Sequence, residues 1–397
     1  MARPAAQGIR VITPDLLRYS GLDEAERILD PDSLGTLCGF PVILLRLRVK
    51  PGASVAVAWR HAGLRSDDER AEAPSNHGWA ALYSSADKVR GAIRRAERSG
   101  AALLAHPSAS SAVLAGGLGS DPQLTRPLTV VSDRTAPNEA MRVLAYKPAV
   151  RATVHLPRRG VVLRVAGSPM TRLTRIAQAC GDASVPTLDV TPWGHRNTVT
   201  ATPHWGDGDL ARTRMAQGAR RAGRAIAALH AADPAAWPAA RPLPDLLPVA
   251  RQLVGVRPAW EERVRALYEE LSARTPVVRG PGVPLHGDLS PDQVLHDERS
   301  IRLIDFDRAA LGPAGADLGT WEAACEELGT PELAEAFRAG YGAVPADERR
   351  YWVARAHFSR ALEPLKSCQV SWPVQVAECL ARAERALNPA GAKERDE

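Results

Sequence analysis

The chain has 397 residues, 45% apolar and 24% charged, with a formal net charge of +6. That is ordinary globular composition, enough for two or three domains, and the charge favours anionic ligands such as nucleotides without by itself indicating nucleic acid. The five cysteines (Cys38, Cys180, Cys325, Cys368 and Cys379) show no metal spacing, and their odd count argues against a disulfide framework. No stretch approaches the roughly 20 apolar residues of a membrane span, so the expected compartment is reducing and cytoplasmic.

Signals before residue 40 are weak, apart from helical spacing over Pro14 to Leu29. Strands are expected at Val42 to Val49, Ser54 to Trp59 and Trp79 to Tyr83. Lys50-Pro51-Gly52 turns the first two into a hairpin, and a polar, acidic loop from Ser66 to His77 precedes the third. A helix over Ser85 to Arg98 follows, then short strands at Ala101 to Leu104 and Ser111 to Leu114. The same order then recurs. Arg142 to Tyr146, the turn Lys147-Pro148-Ala149-Val150, Arg151 to Leu156 and Val161 to Val165 lead into a helix that starts at Ser168, as its cap, or at Thr171 and ends at Cys180. Further strands are expected at Thr187 to Val190 and Asn197 to Thr202. The recurrence points to a duplicated α+β unit, with two unrelated hairpins of one turn type as the alternative.

From Gly208 the pattern is helical. Met215, Ala219, Ala222, Ile226 and Leu229 form one apolar face, and the arginines from Arg212 to Arg224 take the rest as a solvated face. A proline-rich connection runs from Asp233 to Pro248, and Trp260 to Arg274 reads as helix. Further helices are expected at Leu318 to Leu328, Pro331 to Tyr341, Pro345 to Lys366 and Trp372 to Leu387. Trp321 and Trp352 read as core, and Glu322, Glu326, Glu327, Glu332 and Glu335 as outer helix faces, with acids that suit a cationic ligand as the alternative.

Between these helices lies the stretch that carries chemistry. His286-Gly287-Asp288-Leu289-Ser290-Pro291-Asp292-Gln293 leads into the strand Val294-Leu295-His296, a polar turn, and the strand Ile301-Arg302-Leu303-Ile304, which runs straight into Asp305-Phe306-Asp307. A hairpin brings Asp288 and Asp305 back to one end. Two carboxylates and an amide there offer hard oxygen ligands for Mg²⁺, and a further carboxylate can orient a hydroxyl and accept its proton. Phosphoryl transfer needs both.

His286-Gly287-Asp288-Leu289…Val294-Leu295 together with Ile304-Asp305-Phe306-Asp307 resembles the active site of the aminoglycoside phosphotransferase and choline kinase-like family, relatives of protein kinases. Leu229-His230 and Asp317-Leu318-Gly319 resemble that family's post-hinge helix and the turn after its metal site. The resemblance implies an α+β, bilobal protein kinase-like fold with an additional N-terminal unit. The division expected is an N-terminal cap or docking unit at 1–130, a small lobe at 131–205 and a helical large lobe at 206–397.

It also implies ATP and Mg²⁺ as cofactors and a small-molecule or peptide hydroxyl as acceptor. Asp288 would be the catalytic base, His286 would position its loop, and Asp307 would support the metal or contact substrate. Asp305 and Gln293 would bind the metal. Arg164, Lys147 and Arg151 would face the phosphates, and the backbone around Pro203 and Trp205 the adenine. Asp317 is expected to cap the Leu318 helix.

Three positions depart from the family pattern. Gln293 replaces an asparagine, Arg164 replaces a lysine, and the helix after Arg164 carries no glutamate to pair with it. Arginine keeps the charge but brings a bidentate fork. A second reading therefore stays open: a kinase-like binding or scaffolding protein, docking a partner through its N-terminal unit. Neither reading involves nucleic acid or a membrane.

Overall fold

The computed structural model describes residues 12–63, 73–98, 100–107, 112–136, 138–194, 196–238, 241–276 and 282–389. The start of the acidic loop at Ser66, the Gly280-Pro281 pair and the tail from Lys393 lie outside the described residues.

Two five-stranded antiparallel sheets occupy the first half. The first comprises β1 (Val42–Lys50), β2 (Ser54–His61), β3 (His77–Tyr83), β4 (Leu103–Ala105) and β5 (Val113–Gly117), in the order β1-β2-β3-β5-β4. The second comprises β6 (Arg142–Lys147), β7 (Arg151–Leu156), β8 (Val161–Ala166), β9 (Thr191–Pro192) and β10 (Val199–Pro203), in the order β6-β7-β8-β10-β9. The topologies are the same, and in each a helix follows the third strand: Ala86–Arg98 in one, Thr171–Asp182 in the other. The expected strand Thr187 to Val190 is reduced to a single bridge, Thr187 to Leu303, with β9 just beyond it. Ser168 does not cap the following helix, which begins at Thr171 after Met170.

Both faces of the first sheet are buried. Val55, Val57 and Trp59 of β2 pack with the N-terminal helices and with Leu253, Phe358 and Trp372 of the helical half. The alternate residues, Ala58 of β2 with Trp79 and Ala81 of β3, share a second core with Val143, Ala152, Val154 and Leu163 of the other sheet. A strand alternates its side chains, so a strand buried on both sides reads as an unbroken apolar run. Val55-Ala56-Val57-Ala58-Trp59 is such a run. The first sheet is thus sandwiched between the second sheet and the helices.

The second sheet uses its other face differently. Ala152, Val154, Leu163 and Val165 point into the shared core, so Arg151, Thr153 and Arg164 point away from it. That outward face looks at the helical lobe. Among the described residues, no helix is long and apolar enough to cross a membrane.

The helical lobe is built on Ala216–Ala231, Leu247–Val256, Glu261–Ala273, Gly315–Leu328, Pro331–Tyr341, Ala346–Arg360 and Trp372–Leu387. The single helix expected from Pro345 to Lys366 breaks into Ala346–Arg360 and a short Glu363–Lys366. Trp321 and Trp352 are core residues. Glu322 is not on an outer face: it is buried and paired with Arg338 and Arg349. The remaining strands are β11 (Gly208–Asp209), β12 (Val283–Leu285), β13 (Val294–His296), β14 (Ile301–Leu303) and β15 (Ala310–Gly312). β13 and β14 form the expected hairpin, with Val294 opposite Leu303.

Candidate active site

The hairpin sets the spacing of the site. Ile304 donates its backbone N–H to the Gln293 carbonyl at 3.0 Å, which puts the Gln293 amide and Asp305 at the same end. Asp305 itself sits at φ 62, in the left-handed region that non-glycine residues rarely adopt. Such a conformation persists only where its surroundings enforce it. Here the enforcing partners are guanidiniums on β7 and β8. Arg151 reaches Asp305 from both terminal nitrogens, at 3.3 and 3.0 Å. Arg164 reaches it at 3.0 Å, and both arginines also pair with Asp307. Burial opposes the charged carboxyl of Asp305, but Arg164 and Arg151 outweigh it and hold the group down at about 2.

Asp288 is supported from the other side. Asp317 is fully buried and accepts the backbone N–H groups of His286 and Gly287, each at 2.8 Å. It therefore does not cap its own helix, which begins at Gly315; it anchors the loop before Asp288. His230 Nε2 sits 3.1 Å from the same carboxylate, and His230 Nδ1 lies 2.9 Å from the Tyr341 hydroxyl. His286 Nε2 lies 2.8 Å from the Ile304 carbonyl, while its Nδ1 faces the Asp288 N–H at 3.4 Å. A carbonyl only accepts and an amide N–H only donates, so the ring carries its proton on Nε2. Gly287 has φ 81, and a Cβ there would collide with the Arg308 carbonyl. Glycine is required at this crossing.

Arg308 lies 3.2 Å and Arg360 3.9 Å from the Asp288 carboxylate, two neighbours that sequence reasoning missed. Arg308 follows the Ile-Asp-Phe-Asp run directly and was findable; Arg360 gave no local signal. Arg172, on the helix that lacks a glutamate, donates instead to the Asp307 and Ala309 carbonyls.

The remaining expected residues are spread around this centre. Lys147 lies at the β6–β7 turn, where burial first, then Arg151 and Arg46, push its amine down to about 8. The turn is held by Asp121, which accepts from the Tyr146 hydroxyl at 2.6 Å and the Ala149 N–H at 2.7 Å. Pro203 ends β10, and Trp205 lies under the Arg302 guanidinium, 4.7 Å from it. Nearby, His155 and His204 stack at 4.2 Å.

The donor set fits a hard divalent cation. Asp305 and Asp307 supply carboxylate oxygens, and Gln293, whose Nε2 donates to Asp292 at 2.9 Å, leaves its amide oxygen for a cation. Among the described residues no three His, Cys, Asp or Glu side chains cluster as a metal cage.

With this arrangement in view, the model of a phosphotransferase enzyme family matches residues 147–353, just over half of the sequence. The chain belongs to that phosphotransferase family. Membership makes it a phosphotransferase. The family match begins at Lys147, so the first sheet lies wholly outside it.

Among solved structures, a thermostable mutant of aminoglycoside phosphotransferase APH(4)-Ia, in complex with ADP and hygromycin B, is 14% identical. It covers 66% of this chain and 97% of its own, at a TM-score of 0.50. A choline/ethanolamine kinase family protein from Mesorhizobium loti is 17% identical over 67% of this chain and 95% of its own, at a TM-score of 0.48. The first likeness gives the fold, which is bilobal and kinase-like. Among curated proteins, nothing matches the sequence.

Proposed function

We propose that the protein transfers the γ-phosphoryl group of ATP, with Mg²⁺, to a hydroxyl of a small molecule. The observation that carries this reading is the paired anchoring of Asp288 and Asp305: one on the loop held by Asp317, the other at the hairpin end beside Gln293. A solved structure in complex with ADP and hygromycin B supports the nucleotide and the small acceptor.

In this reading Asp288 orients the acceptor hydroxyl and takes its proton. His286 and Asp317 fix the loop, and the Arg308 and Arg360 guanidiniums lie beside the Asp288 carboxylate. Asp305, Asp307 and Gln293 would hold Mg²⁺, which when bound neutralises charge on the phosphates. Arg151 and Arg164 turn from the two aspartates to the phosphate oxygens when nucleotide enters. Bidentate guanidiniums suit that exchange, because carboxylate and phosphate present similar oxygen pairs. Pro203 and Trp205 flank the backbone that meets the adenine. Residues 1–130, 131–205 and 206–397 act as cap, small lobe and helical lobe.

The pairing of both aspartates with arginine also favours a second reading, in which the arginines replace ligand permanently and the protein is a kinase-like scaffold. Calorimetric titration with ATP, with and without Mg²⁺, on wild type and Asp305→Ala separates the two. Binding strengthened by Mg²⁺ only when Asp305 is present is expected. Binding indifferent to both would favour the scaffold.

A further inference from the structure

A cavity of about 390 Å³ lies where the two sheets meet the helical lobe. That size suits a metabolite. Its walls include Arg46, Arg48 and Lys50 from β1, Lys147 from the β6–β7 turn and Lys366 from the short helix Glu363–Lys366, and no carboxylate residue lines it. Glu363 neutralises Arg46 at 2.8 Å and Lys366 at 3.0 Å. Among the described residues, Arg48, Lys50 and Lys147 have no carboxylate within ion-pair distance. Lys50 and Lys147 occupy equivalent turns of the two like sheets, Lys50-Pro51 and Lys147-Pro148, and both open on this one cavity.

The cavity adjoins the site described above. Leu362, in its wall, is two residues beyond Arg360, whose guanidinium lies 3.9 Å from Asp288. Lys147 lies opposite Arg151 in the β6–β7 ladder, and Arg151 reaches Asp305 at 3.0 Å. On the Asp288 side Arg308 and Arg360 flank the carboxylate, and Arg360 is itself paired with Glu327 at 3.3 Å. The uncompensated cations are thus concentrated at the cavity, and a polycationic acceptor would meet repulsion from Arg48, Lys50 and Lys147.

We propose that this cavity binds the acceptor, and that the acceptor is an anionic alcohol whose carboxylate or phosphate is held by Arg48, Lys50 and Lys147. The inference rests on the phosphotransfer reading for the word acceptor, but not for the binding. It gives the first sheet a substrate-binding role: β1 supplies two of the three charges.

The test uses one hydroxyl framework in three charge states. Glucuronate, glucose and glucosamine, with glucose 6-phosphate as the phosphate probe, are titrated calorimetrically into wild type, Arg48→Ala, Arg48→Glu and Lys50→Glu. Arg48 and Lys50 are exposed, so the fold survives, and a thermal melt checks it. At least one anion is expected to bind ten-fold or more tightly than glucose, glucosamine more weakly still, and both charge reversals are expected to abolish the difference.

Equal binding across the series, or no anion binding, overturns the proposal. ATP is titrated in parallel: if the charge reversals weaken ATP as much as the anion, the cavity takes nucleotide phosphates and the proposal also falls. Anion binding without turnover by any nucleotide would leave the cavity assigned and defeat the phosphotransfer reading instead.

Discussion

Arg151 and Asp305 meet as a fork on a fork, two nitrogens to two oxygens at 3.3 and 3.0 Å, and they come from different lobes. Arg151 begins β7 of the second sheet, while Asp305 lies two residues beyond the end of β14 in the helical lobe. Arg164 adds a second fork to the same acids. The pairs are partly buried, with side-chain exposures of 13% for Arg151, 17% for Arg164 and 24% for Asp305. They lie between the surface case, worth little, and the buried case, where breaking one partner is costly. Arg151→Ala is therefore expected to cost about 1–3 kcal/mol in urea unfolding without nucleotide. Arg164→Lys should cost less, because it keeps the charge but cannot span Asp305 and Asp307 together. An unchanged urea midpoint in Arg151→Ala would rule out the fork as a lobe-to-lobe tie.

The same pairing makes stability depend on acid. Asp305 and Glu363 are each held at about 2, burial resisting and arginine or lysine neighbours prevailing: Arg164 and Arg151 on the first, Lys366 and Arg46 on the second. In the unfolded chain both groups titrate near 4. Between about pH 4 and pH 2 the unfolded chain binds protons that the folded chain refuses, so stability falls as pH falls. It is fully present above that window. Urea midpoints measured from pH 5 down to pH 2.5 should drop below pH 4, and Glu363→Gln should make the drop shallower.

Asp317 is the residue whose loss should matter most per atom removed. Its two oxygens take backbone N–H groups from His286 and Gly287, and it touches solvent nowhere. Asp317→Ala strands two buried donors and the His230 ring, at a cost of about 3–5 kcal/mol. Asp317→Asn keeps the volume but turns an amide NH₂ toward one of the donors, and should be intermediate. With the phosphotransfer assay in hand, both should lower kcat by ten-fold or more while leaving ATP affinity within about two-fold, because Asp288 is displaced and the nucleotide side is not.

How far the sequence reveals this site depends on the range of each interaction. The β13–β14 hairpin was legible because its signal is local: two apolar runs and a polar turn within a dozen or so residues. The repeated unit was legible from its Lys-Pro turns and strand order, and the two sheets do share one topology. Asp317 was misread as a helix cap because its true partners lie some thirty residues earlier. Arg164 was legible as a charge on the right strand. Its partner was not, since that depends on which face of β8 meets the helical lobe. Arg360 is far from Asp288 in sequence, and only the packing of Ala346–Arg360 on Gly315–Leu328 brings them together. The burial of both faces of the first sheet was visible in its unbroken apolar runs, but not what would cover them.

The last prediction concerns how the first half of the chain sets the turn that carries Lys147. Asp121, just after the first sheet, accepts from the Tyr146 hydroxyl and from the Ala149 N–H. Ala149 sits at φ 57 in the turn that carries Lys147, a conformation that costs a non-glycine residue about 1 kcal/mol or more. The N–H bond to Asp121 is what holds it there. Asp121→Ala should therefore release the turn and raise the KM for the acceptor by about ten-fold, with kcat little changed. Tyr146→Phe removes a hydrogen bond of similar length from the same carboxylate but leaves the Ala149 bond intact. It should cost about 1 kcal/mol of stability and leave the KM for the acceptor within two-fold. A merely structural Asp121 would make the two variants differ in melting temperature alone, and equal KM values would show that the turn needs no hold from the N-terminal half.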